Sequence, residues 1–509
     1  MIVILMPLVL VYALFLLTSD IQEDAFITFR TAFNLADHGE LSFNLGEGYS
    51  GATSYLYPFL VALIRVVSGE QAITIILIVN SIALLLTSYM ITEILGRAFD
   101  FSDAMRFLFW AALSVAPKTL LMAVRGMEAP YVVLIFVLGL YSIQNAPRRL
   151  FSLLPLVVLP FIRPDAIAFS LILAGFSFSV TPRFGMRYIM AAMIGVAMLM
   201  VANYLTFGRF VAASVEAKSF GRLASRSLHS IVIDEFSTYF TSELFSPVST
   251  KYFIAIYPVF TVFAITLSAI LLWKLWCVRR SHFSIVATLL AGVWLVPFAY
   301  GVGGIIFPWY LWPSCMLYQG VFIAGVFYIA ASCLRPLTAR LVVGGLLVGL
   351  LCATGIQLIL SYSTGVQESG YRASVGKYIA SRAKVGDTLY LEPAGYIPFF
   401  AKIRTIDEVG LSSSVILRYR HNYPKRWWIE AVKQEKPTFL VQRAGIVDHK
   451  TYQGYQMTPD EAVWFDSRYE LIRVFEYKPE EFTTYPFLKR LLRYGSAENY
   501  YVLKLRDSP

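Results

Sequence analysis

Glu23 and Asp24 stand side by side just after an apolar run, in DIQEDAFITFRTAFNLADHGELSFNLGEGYSGATSYLYPFLVALI, residues 20–64. A carboxylate placed where a membrane-buried site meets water can take the proton from an attacking hydroxyl, general-base work worth roughly 10²–10⁴-fold. The pair also has a plainer use. Asp20-Ile-Gln-Glu23 has the form of a capping box, and an acid in the first helical turn suits the helix dipole. Glu128, in Arg125-Gly-Met-Glu128, is a second acid at the end of an apolar run, and equally a helix-start acid that Arg125 or Lys118 would pair. Arg163 sits between apolar runs, where an arginine is costly unless partnered; its partner is either a phosphate or the nearby Asp165. Lys218 and Arg222 are cations able to hold a lipid phosphate and to stabilise charge on a leaving oxygen, or simply to touch headgroups. Arg30 and Asn44, in the first charged stretch, are candidates to bind substrate. So are Trp309 and Tyr310, which could stack on a sugar or belong to an interfacial aromatic belt. No H-x-x-H or C-x-x-C spacing occurs, so no metal motif is assigned, and no Walker loop, G-x-G-x-x-G or G-x-S-x-G is present.

These residues are embedded in a chain of 509 residues that is 57% hydrophobic and only 15% charged, with a mean hydropathy of +0.62. That composition reads as a polytopic α-helical membrane protein. The net charge of +10 is scattered among apolar blocks rather than clustered with aromatics, which suits topology and an anionic lipid and argues against nucleic acid. Apolar runs give about 11 transmembrane helices, at 1–18, 71–95, 103–122, 128–145, 150–162, 164–180, 186–207, 251–277, 284–302, 309–333 and 341–362. The runs 150–162 and 164–180 are short and flank Arg163-Pro-Asp165, which suits a tilted or broken hairpin. Tyr55–Val67 is too short to span and reads as juxtamembrane or re-entrant. With it excluded, the loops rich in arginine and lysine between spans all fall on one, cytoplasmic, side. The segment 23–37 is amphipathic, with Phe26, Phe29, Phe33 and Ala36 on one face, and is expected at the membrane surface with its rings in the acyl boundary. Residues 208–250 form a basic loop with a second surface helix over 227–244. After residue 362 the composition becomes that of a soluble protein, and alternating short helices and strands read as an α/β domain over 363–509. All four cysteines lie before it, so that domain holds no disulfide.

The stretch EDAFITFRTAFNLADHGELSFNLGEGYSGATSYLY resembles the first external loop of bacterial GT-C glycosyltransferases, among them terminal arabinofuranosyltransferase-like and bacterial mannosyltransferase-like families. Glu23 replaces the first Asp of their pattern, Asp24 matches the second, and His38 departs from the usual small residue. Gly126-Met-Glu128 resembles a recurrent second-loop form, Ala217-Lys218 the end of a third-loop pattern whose Pro-Asn is missing here, and Ile406-Asp407-Glu408-Val409-Gly410-Leu411 a run in the C-terminal half. The resemblance implies a GT-C fold with juxtamembrane helices and Asp24 as general base, supported by Glu23 and Glu128. It also implies a donor phosphate near Lys218, to which Arg163 and Arg222 are further candidates by their charge alone.

The reading that follows is a glycosyltransferase of the cytoplasmic (inner) membrane, with active site and C-terminal domain outside. It moves a sugar from a polyprenyl-phosphate donor to an extracytoplasmic glycan, lipid or protein hydroxyl by inverting displacement. No cofactor is required by the sequence, although a divalent cation, Mg or Mn, is compatible with the chemistry. The rivals are a transporter or flippase of lipid-linked sugars, a polysaccharide polymerase or ligase using a diphosphate donor, and a non-catalytic wall-binding protein.

Overall fold

The computed structural model describes residues 2–211, 257–278, 280–303, 307–451, 455–493 and 498–506, together with Ser214, Ala217 and Leu244. The surface helix expected over 227–244 therefore lies outside the described residues, apart from Leu244. The helical body comprises α1 (Ile2–Leu17), α2 (Glu23–His38), α3 (Tyr57–Ser68), α4 (Ala72–Ala98), α5 (Asp103–Ser114), α6 (Pro117–Val124) and α7 (Ala129–Asn145). It continues with α8 (Leu154–Ile162), α9 (Ile167–Val180), α10 (Gly185–Phe207), α11 (Tyr257–Val278), α12 (Arg280–Gly303), α13 (Trp312–Cys333) and α14 (Pro336–Gly365). Among the described residues, five helical runs are long and apolar enough to cross a bilayer, and the bent pair α5–α6 makes a sixth. Five shorter apolar helices of 10–17 residues pack among them. The chain is a membrane protein.

Three of these segments show how local chemistry shapes the body. The apolar run 103–122 is not one straight helix: it bends by 51° between α5 and α6. Pro117 disfavours the helical conformation at the residue before it, and Ala116 is extended (ψ 139°). Helix α3 continues through one 3₁₀ turn, Gly69–Gln71, into α4, a run of 42 residues. At 1.5 Å per residue that run would reach about 63 Å if straight, twice a hydrocarbon core of about 30 Å, so α4 alone suffices to cross; α3 lies along α2. Between α8 and α9 the chain breaks at Arg163, which is extended (φ −151°, ψ 133°) before Pro164. That is the broken hairpin its sequence implies.

The last apolar helix does not stop where the composition changes. From α14 it runs through a π-helical segment, Val366–Arg372, into Ala373–Ala380, forming one continuous helical run from Pro336 to Ala380. The sheet domain follows: β1 (Thr388–Leu391), β2 (Arg404–Asp407), β3 (Phe439–Gln442), β4 (Tyr469–Phe475) and β5 (Tyr500–Leu505). The strand order is β2-β1-β3-β5-β4, parallel across β2-β1-β3 and antiparallel across β3-β5-β4. β3 is buried along its whole length, as a strand with neighbours on both sides should be.

Helix α2 joins the two parts. Its Phe26 and Phe29 are buried, and the Phe26 ring lies 4.0 Å from Tyr396 and 4.9 Å from Phe399 in the short helix Tyr396–Ala401. The Phe33 ring lies 5.5 Å from Phe399 and beneath the Arg65 guanidinium. The aromatic face expected in the acyl boundary is thus covered by protein. Rings of this size bury about 150–250 Å² each, and the sheet domain offers them a matching aromatic surface. Nor does the capping box form: α2 has Gln22 at its N-cap without a side-chain cap, and buried Asp20 pairs with Arg125 at 3.0 Å.

Candidate active site

Two loops dock on the start of α2 and bring the acids together. The Gln22 amide donates to the Arg125 carbonyl (3.0 Å), and Tyr57 Oη donates to the Gly126 carbonyl (2.9 Å). Gly126 adopts φ +71°, and an added Cβ would lie 2.9 Å from Phe29, so the turn can nestle against α2 only as glycine. The amides of Tyr55 and Leu56 both donate to the Phe161 carbonyl, which sets residues 51–56 beside the α8–α9 break. The result is a recess of about 370 Å³ lined by Asp24, Thr28, Glu128, Arg163, Trp309 and Tyr310, with Gly51–Thr53 along one wall and Leu411 from the sheet domain at another.

Arg163 is the electrostatic centre of that recess. Its guanidinium is buried and makes a forked contact with Asp165 (Nε 3.0 Å, Nη2 2.8 Å), while Nη1 reaches Glu128 at 3.1 Å. It also lies 4.4 Å above the Tyr310 ring. Tyr300 Oη donates to Asp165 from behind. A buried arginine between two carboxylates orients Glu128 firmly, and the local charge is no longer positive. Glu128 occupies the N-cap position of α7 without capping it. Asp24, half-buried, makes no hydrogen bond or ion pair among the described residues. The Trp309 indole N–H is buried without a partner among the described residues.

The other expected site residues fall elsewhere. Glu23, next to Asp24 in sequence, points to the sheet domain: Oε1 accepts from the amides of Gly395 (2.7 Å) and Tyr396 (3.1 Å), and Oε2 pairs with Arg372 (3.0 Å). Arg30 uses all five of its N–H groups, on the carbonyls of Phe43, Pro398 and Ile403, on Thr405 Oγ1 and on Asn44 Oδ1. Asn44 in turn brackets the backbone of Thr405. Both residues clamp α2 and its loop to β2, where the fold takes up their donors and acceptors, and they line a recess separate from that of Asp24, with Asp37, His38, Arg65 and Arg404. Lys218 and Arg222 lie outside the described residues. A residue counted in the sequence only among the basic charges of its loop, Arg209, lines an adjoining recess with Tyr49, Leu199, Asn203 and Phe207, and the two recesses share the wall Gly51–Thr53. No group of three or more side chains suited to a metal occurs among the described residues.

A family model described as a domain of unknown function, DUF8728, matches residues 359–499. No curated protein matches the chain in sequence. Among solved structures, ArnT from Cupriavidus metallidurans bound to undecaprenyl phosphate aligns over 99% of this chain and 97% of its own, at 12% identity and a TM-score of 0.54. The chain has the GT-C fold. Two further structures align with TM-scores of 0.48. They are ArnT of the same organism in the apo state (13% identity, 87% of this chain and 93% of that one) and an Archaeoglobus fulgidus oligosaccharyltransferase (11%, 86% and 68%).

In this chain the sheet domain supplies one wall of the recess through the turn after β2. Asp407 is buried, and its carboxylate accepts from the amides of Val409 (2.8 Å), Leu411 (2.5 Å) and Ser412 (3.0 Å). Tyr49 Oη donates to the Gly410 carbonyl (2.8 Å). Gly51, at φ +69°, lets this turn approach; an added Cβ would sit 3.0 Å from Ser412 Cα. Burial pushes the Asp407 carboxyl up to about 6, against the pull of those amides. A proton is then held more tightly in the folded state than in the unfolded one. The stability this brings is fully present below the ordinary value of 3.8 and is lost as pH rises through about 6. Relative to Asp407→Asn, the protein should lose roughly 2–3 kcal/mol of stability between pH 4 and 7, the size a shift of about two pKa units implies. Unfolding of the two proteins followed across that range tests this, and a stability difference that stays flat with pH would contradict it.

Proposed function

We propose that this protein is a glycosyltransferase that moves a sugar from a polyprenyl-phosphate donor to a hydroxyl acceptor. The observation that carries the reading is Asp24: a carboxylate the fold leaves without a partner among the described residues, in a recess where Glu128 is locked by Arg163. An orienting contact on one acid and freedom on the other is what a general base beside a positioning acid requires. Asp24 takes the proton of the acceptor hydroxyl as its oxygen attacks the anomeric carbon, and the bond from that carbon to the phosphate oxygen breaks. Direct displacement inverts the anomeric centre. Trp309, with its indole N–H available, and Tyr310 bound the space for the sugar.

The donor's phosphate belongs in the adjoining recess. Arg163 is neutralised by two carboxylates, so its expected role on the phosphate passes to Arg209, together with Lys218 and Arg222 from the segment that follows. That recess includes Leu199, Asn203 and Phe207 of α10, a helix whose apolar side chains are mostly exposed and would face lipid tails. The ArnT structure of the same fold holds undecaprenyl phosphate, which supports a lipid phosphate of this class. The leaving phosphate is stable once released, so Mg or Mn can assist by screening its charge but is not needed for the step.

Purified protein supplied with polyprenyl-phosphate sugars should release polyprenyl phosphate, and Asp24→Asn should lower turnover by at least about 10²-fold while donor binding persists. Glu128→Gln should be intermediate. Turnover unchanged in both variants would remove Asp24 and Glu128 from the chemistry, and no release of polyprenyl phosphate from any such donor would overturn the enzyme reading in favour of a transporter. We further propose that the recess and the sheet domain face away from the cytoplasm across the inner membrane, from the basic loops on the opposite side. Alkaline phosphatase fused after Leu505 should then be active in bacterial cells; an inactive fusion there, with an active one at Arg280, would reverse the orientation.

A further inference from the structure

Three carboxyls and two guanidiniums meet where the start of α2, the α6–α7 turn and the π-helical segment Val366–Arg372 converge, and their charges do not cancel. Asp20, buried, takes Arg125 at 3.0 Å. Glu23 and Glu368 are left with Arg372, and both use the same nitrogen of it: Nη1 lies 3.0 Å from Glu23 Oε2 and 2.7 Å from Glu368 Oε2. Glu23 is the better supplied, because its other oxygen accepts from the amides of Gly395 and Tyr396. Glu368 receives that one shared donor and no other among the described residues, and its carboxyl lies within hydrogen-bonding reach of Glu23. The other groups that face it bring no further positive charge. Arg125 is already held by Asp20 and Gln22. Tyr396 and Tyr500 border the cluster, and Arg443, which acts on Tyr500, pairs with Glu392 and Glu498. Two carboxylates sharing one N–H group away from water repel each other, and such a pair relieves the repulsion by taking up a proton.

We propose that Glu368 carries that proton at neutral pH and donates it to Glu23, and that losing it on the alkaline side loosens the clamp that aims Asp24. The link to Asp24 rests on the proposed function; the proton does not. Glu368 lies past the apolar run of α14, where the chain has become polar. Burial holds its carboxyl up at about 8, Glu23 adding to the rise and Arg372 opposing it. The proton is therefore kept below that value and leaves as pH rises through it. Once ionised, Glu368 competes with Glu23 for one Nη1 at the first turn of α2, one residue from Asp24.

Infrared pH-difference spectroscopy of the full chain in lipid nanodiscs tests the proton directly. Between pH 7 and 9 one protonated-carboxyl band should disappear, and Glu368→Gln should lack that band throughout; Asp407, at about 6, has already titrated. Turnover tests the link to Asp24. Glu368→Gln keeps a neutral donor toward Glu23, so its turnover relative to the unaltered protein should rise about tenfold from pH 7 to 9, matching the fall in protonated Glu368 over that range. Glu368→Ala, which offers Glu23 no donor, should be slow at both. No such band at pH 7, or one that persists in Glu368→Gln, would overturn the proposal. A ratio that stays flat while the band behaves as expected, or Glu368→Ala turning over as fast as Glu368→Gln, would overturn the link to Asp24. No release of polyprenyl phosphate at any pH would remove the proposed function, and the infrared result alone would then decide the proton.

Discussion

On the proposed function α2 carries an acid that must be held still yet stay unbound, and the helix meets both demands by spending its neighbours. Arg30 gives every N–H to the loop after α2 and to the sheet domain. Glu23 accepts from two backbone amides and from Arg372, which also pairs with Glu368 at 2.7 Å. The fit at Gly395 is tight enough that an added Cβ would lie 2.1 Å from the Glu23 carbonyl oxygen. Charge-assisted bonds of this kind contribute about 1.5–3 kcal/mol each, and losing one partner leaves a buried charge unpaired. The sheet domain is therefore part of the device that aims Asp24.

That arrangement also explains why the boundary between membrane body and sheet domain is not a flexible linker. The helix that leaves the bilayer continues from Pro336 to Ala380, and its π-helical stretch places Glu368 and Arg372 opposite Glu23. A π-segment shifts the side-chain register within an otherwise regular helix and is frequent at functional sites. Here it lets two side chains of one helix meet one carboxylate of another. The match of the family model to residues 359–499 begins within this same helix, so the matched region includes the joint as well as the sheet.

Much of this was legible in the residues. Asp24, Glu128, Arg163, Trp309 and Tyr310 were each singled out by type and by position at the ends of apolar runs, and they converge on one recess. The broken hairpin at Arg163-Pro-Asp165 and the alternation of short helices and strands after residue 362 could be read from spacing and turn residues. What a sequence cannot show is where a side chain turns. Glu23 and Asp24 are adjacent, but 100° apart on a helix, and the partners that claim Glu23 lie about 350 residues downstream. The partners that make Arg30 and Asn44 clamps between α2 and β2 were hidden for the same reason. The bend at Pro117 was readable and was passed over because hydropathy alone does not register it. Arg209 was hidden in the opposite way, as one more charge in a basic loop, until the wall Gly51–Thr53 connected its recess to that of Asp24.

The central claim is that Glu23 and Arg372 act through Asp24, as positioning residues. A double-mutant cycle in turnover tests it directly, with Glu23→Gln, Arg372→Gln and the pair measured alongside donor affinity. The account predicts that each single change lowers turnover with donor affinity kept, and that the pair is no worse than the more severe single, because both remove the same constraint. Losses in turnover that simply multiply in the pair would show that the two residues act independently, and would contradict the account.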